Sequence, residues 1–76
     1  MLTNDQTARL LNHLCVELGF CLPPEKVSEL RHRPPPTPTE FVDEVFTAEG
    51  LDPQSADRRL YRTVRAAVLL AFEASD

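Results

Sequence analysis

The chain has no tryptophan, one tyrosine, one methionine, two glycines and only one lysine, Lys26, among its eight basic residues. Two isolated glycines, Gly19 and Gly50, cannot build a glycine-rich loop that cradles a phosphate or a dinucleotide. No stretch approaches the roughly 18 apolar residues of a membrane span, and the longest run is Ala66 to Phe72. No segment alternates apolar and polar residues long enough to read as a strand, and no internal repeat is visible. The opening residues, Met-Leu-Thr-Asn-Asp-Gln, lack the positive start and the apolar segment of a secretory signal, so the expected location is cytoplasmic. There Cys15 and Cys21 are expected as reduced thiols, with a disulfide across a helix end as the alternative.

What the chain does have is short apolar faces and strong punctuation. Its 76 residues read as a single domain with a thin core, since a chain of this size buries only about 60% of the surface exposed when unfolded. Thr3 followed by Gln6 is a capping box, opening a helix over about 4–18 with Leu11, Leu14 and Leu18 on one face. Gly19 supplies its left-handed stop, and Phe20 packs back on the last turn. Pro24 suits a first helical turn and predicts a short helix over about 24–30, anchored by Val27 and Leu30. The run at 33–38, Arg-Pro-Pro-Pro-Thr-Pro, is a rigid, extended connector that no helix can cross.

Thr37, Pro38 and Glu40 give a second capping box, opening a helix over about 38–49 with Phe41, Val42, Val45 and Phe46 on its apolar side. Gly50 closes it, with Leu51 as the hydrophobic contact beyond. Asp52-Pro53, or Ser55 slightly later, caps the last helix, over about 56–73. The fold class is therefore all-α: a small helical bundle of three main helices plus one short one.

The last helix carries the strongest signal. At 100° per residue Leu60, Val64, Ala67, Val68 and Ala71 share a core face, with Tyr61 and Phe72 at its edge. Arg58, Arg62 and Arg65 line up elsewhere, Leu69 continues their line one turn further, and Leu70 points in a third direction. Two leucines outside the core face suggest a contact surface. The acidic face of the third helix, Glu40, Asp43 and Glu44, is the evident complement to the arginines. These eight residues, Arg58, Arg62, Arg65, Leu69, Leu70, Glu40, Asp43 and Glu44, are the candidate partner-binding positions.

Other chemistries fit poorly. His13, Cys15, Cys21 and His32 are ligand types of a structural zinc site, but no short Cys-x2-Cys pair is present and His13 lies about 160° from Cys15 around the helix. The proline run reads as a spacer, because an Arg-x-x-Pro-x-x-Pro ligand starting at Arg31 reaches Thr37 where its second proline is needed, and the reverse orientation from Pro35 and Pro38 meets Glu40 instead of a base. The acidic residues of the third helix follow one another on a solvated face, which argues against acid–base catalysis. Size and acidity are similar to those of acyl carrier proteins, yet the Asp-Ser-Leu attachment motif is missing: Ser28 and Ser55 stand in other contexts.

No catalytic residue, cofactor or metal is expected. The function expected from sequence is a cytoplasmic protein–protein interaction module, either a homodimer or an adaptor for another protein. The competing reading is a nucleic-acid binder using the Arg58, Arg62 and Arg65 stripe in a helix-turn-helix around Gly50. The net charge of -4 and the acids Asp52 and Asp57 near the reading helix oppose it.

Overall fold

The computed structural model describes residues 2–74, and among them four helices and no strand are found. They are α1 (Asn4–Leu18), α2 (Pro24–His32), α3 (Pro38–Ala48) and α4 (Arg58–Ala74). The chain is all-α, as its periodicity requires.

Each helix begins where a side chain or a proline relieves the free backbone donors of its first turn. At α1 the capping box is complete: Gln6 N donates to Thr3 Oγ1 at 3.1 Å, and Thr3 N donates to Gln6 Oε1 at 2.9 Å. Gly19, at φ 74°, ends it, with Gly19 N donating to the Cys15 carbonyl and Phe20 N to the Leu14 carbonyl. Pro24 opens α2, which runs two residues past its predicted end and closes with Arg33 N donating to the Glu29 carbonyl. At α3 only half of the expected capping box forms, with Glu40 N donating to Thr37 Oγ1 at 3.2 Å.

Two details at the end of α3 and the start of α4 correct the sequence reading. Gly50, at φ 77°, and the bond from Leu51 N to the Phe46 carbonyl close α3 as expected, but the Leu51 side chain is 41% exposed and makes no strong apolar clasp. Neither Asp52 nor Ser55 caps α4. Asp57 does, its Oδ1 accepting from Arg59 N at 2.8 Å and from Leu60 N at 3.2 Å. Asp52 instead holds a separate turn, accepting from Gln54 N and Ser55 N.

Contacts between helix ends give the direction of each helix. Asn4 at the start of α1 and Arg31 near the end of α2 exchange two hydrogen bonds, Arg31 Nε donating to Asn4 Oδ1 and Asn4 Nδ2 to the Arg31 carbonyl, so these helices are antiparallel. Phe20, Phe46 and Tyr61 form a row with ring centroids 5.1 and 5.4 Å apart, joining the ends of α1 and α3 to the start of α4. Phe41 and Phe72 meet edge to face at 6.1 Å at the opposite end, which makes α3 and α4 antiparallel too. The close packings are α1 on α2, α1 on α4 and α3 on α4. The spatial order is therefore α2, α1, α4, α3.

The core sits among α1, α3 and α4, where Leu14, Phe41, Val42, Val45, Phe46, Val64 and Val68 are fully buried. Leu10, Leu11 and Leu30 add to it, with Leu60, Tyr61, Ala67, Ala71 and Phe72 packed along its margin. Thr7 is the buried polar residue, and its hydroxyl is satisfied by donating to the Thr3 carbonyl at 2.8 Å.

One sequence expectation fails outright. Cys15 and Cys21 are joined in a disulfide rather than held as free thiols. The left-handed turn at Gly19 reverses the chain and brings the two Cα atoms to 4.2 Å, close enough to bridge.

Candidate interaction surface

The outward face of α4 is set by the burial of its opposite side. With Val64 and Val68 in the core, a 100° step per residue turns Arg62, Ala66 and Leu70 to solvent. Arg58, Arg62 and Arg65 are all exposed, as the sequence predicts. Leu70 is 67% exposed. Leu69 is only half-buried, so the two leucines expected outside the core differ in degree. Covering a leucine that stands this far out stabilises a contact by roughly 1–2 kcal/mol.

The acidic residues stand on the outer face of the neighbouring helix. Glu40, Asp43 and Glu44 are exposed, while Phe41, Val42, Val45 and Phe46 between them point inward. The two sets are brought side by side at one point: Asp43 and Arg58 line a common cleft of about 410 Å3, together with Thr39, Tyr61 and the turn at Pro53 and Gln54. They do not pair. Among the described residues the single ion pair is Lys26 with Glu29, at 3.4 Å, on α2. None of the three arginines of the stripe bonds to any of the three acids, so the charge complement is not met inside the fold.

The acids have a second neighbour that the sequence did not reveal. Because α2 and α3 do not pack closely, a groove of about 950 Å3 opens between them, floored by Leu30 and Pro34 to Pro36 and flanked by Glu29, Glu40 and Glu44. The connector is more than a spacer, since Pro35 is buried. Val16, 69% exposed, is a further apolar side chain left outside, and its place opposite Leu10 and Leu14 on α1 was readable from the helical period.

The remaining candidates separate. No group of three or more His, Cys, Asp or Glu side chains among the described residues is placed to hold a metal ion. His13 and His32 are exposed on different helices, and His32 Nδ1 lies 2.8 Å from the Ser28 carbonyl. The link from α3 to α4 spans residues 49–57, too long for the three-to-four-residue turn of a helix-turn-helix, and its Asp57 occupies the N-terminus that would approach a phosphate. No helix of the described residues is long and apolar enough to cross a membrane. No family model, curated protein or solved structure matches this chain.

Proposed function

We propose that this chain is a small helical protein–protein interaction module whose contact surface is the outward face of α4, extended by the acidic face of α3. The observation that carries this reading is Leu70, two-thirds exposed on a helix whose row of arginines has no acid partner among the described residues. An apolar anchor flanked by forked, directional charges is the chemistry of a recognition patch rather than of a solvated face. Its work is binding, not catalysis, since the acids of α3 stand in open solvent. A cytoplasmic place of work belongs to this proposal only with Cys15 and Cys21 reduced; the closed disulfide suits an oxidising compartment.

The test is site-specific photocrosslinking in cells that make the protein. A photoreactive side chain at Ala66, which is exposed on the outward face of α4, is expected to give a discrete adduct. The same group at Glu25, exposed at the start of α2, is expected to give none. Equal labelling from both positions contradicts the reading.

A further inference from the structure

We infer that the occupant of this surface is a second copy of the chain, docked about a two-fold axis over the seam between α3 and α4. The inference rests on the proposed role of the α4 face and names what covers it.

Three observations lead there. First, the basic and acidic rows adjoin at one point. Tyr61 and Phe72 mark the side of α4 that meets α3 through Phe46 and Phe41, and Arg58 and Arg65 lie within about 60° of both around the helix. Asp43, from α3, shares a cleft with Arg58. Second, the rows remain unpaired among the described residues, although Asp43 and Arg58 share a cleft. Third, Leu69 continues the basic row toward the C-terminal end of α4, where it adds an apolar side chain to the contact.

Symmetry turns these into a specific assembly. A two-fold axis through a seam with acid on one side and base on the other lays α4 of each copy over α3 of its mate. The arginine row of each copy then faces the acidic helix of its mate, Arg58 toward Asp43, and the contact closes as a dimer. Rows on opposite faces of the molecule would instead meet head to tail and generate an open filament. Adjacency thus selects closure. The charges fix register, and Leu69 at the end of the arginine row adds apolar contact.

Sedimentation equilibrium at tens of micromolar tests this with charge-swapped variants. Wild type is expected to be a dimer that weakens with salt. Arg62→Glu with Arg65→Glu, and separately Asp43→Arg with Glu44→Arg, are each expected to raise the dissociation constant about tenfold or more by setting like charges face to face. An equimolar mixture of the two variants is expected to recover a dimer. Circular dichroism checks that each variant is folded, and the neutral pair Arg62→Gln with Arg65→Gln replaces one that is not, with weakened association expected. A monomeric wild type, oligomers larger than a dimer, unaltered association of the variants, or a mixture that stays monomeric overturns the inference. A monomeric wild type that still crosslinks from Ala66 to another protein removes only the second copy, not the contact surface.

Discussion

The α1–α2 half and the α3–α4 half of the molecule are held together by different means. The first is satisfied by polar and covalent bonds of its own: a full capping box, a disulfide, the reciprocal Asn4 and Arg31 bonds, and the one ion pair among the described residues. The second is held by aromatic and aliphatic packing through Phe41, Phe46, Tyr61 and Phe72, and none of the charged side chains of α3 pairs with one of α4. The difference indicates where each half spends its polar groups. One half places a disulfide and two side-chain hydrogen bonds between its own segments, and the other carries the three arginines and three acids of the candidate surface with no bond between them.

Four perturbations separate the halves, and the largest effect belongs to the packed one. Phe46 is fully buried and joins Phe20 to Tyr61, so Phe46→Ala removes the contact shared by three helices. The expected loss is about 3–5 kcal/mol, enough to leave a domain of this size largely unfolded, and urea titration by circular dichroism measures it. Next comes the stapled half. The disulfide closes a loop of sequence separation 6, and its reduction is expected to lower stability by about 2 kcal/mol, read as a lower melting temperature with dithiothreitol. A Cys15→Ser, Cys21→Ser variant should melt at the reduced position with or without reductant.

The third perturbation is smaller. Asp57→Ala strips the cap from α4 and is expected to cost about 1 kcal/mol, whereas Ser55→Ala, at the cap that the sequence offered as the alternative to Asp52, should change little. The smallest effect on stability is expected from Arg62→Gln with Arg65→Gln, within about 0.5 kcal/mol under dilute conditions. These side chains have no ion-pair partner to lose among the described residues. A large destabilisation from that pair, seen in the same urea titration, would erase the contrast between the halves.

Most of the helical framework was legible because its signals are local. Thr3 with Gln6, Gly19, Pro24, Thr37 with Pro38, and Gly50 each act on backbone groups within a few residues, so their meaning does not depend on the rest of the fold. The start of α4 was less readable since Asp52, Ser55 and Asp57 are all competent caps, and only the path of the 49–57 link selects among them. The disulfide is only the alternative in the sequence because the expected compartment favours free thiols, while the decisive quantity is the distance set by the turn at Gly19. The groove between α2 and α3 has no local signature, being the consequence of two helices that do not pack. The outward face of α4 was readable from its period. Whether α3 answers its charges was not, because that depends on the packing of two helices against each other.

The most direct measurement of the central claim takes Leu70→Ser and records two quantities: the melting temperature of the purified variant at dilution and its association in cells, read as the photocrosslink from Ala66. The account predicts an unchanged melt with association lost, because Leu70 stands outside the core. A lowered melt with association unaltered would mean that this leucine serves its own fold, and would contradict it.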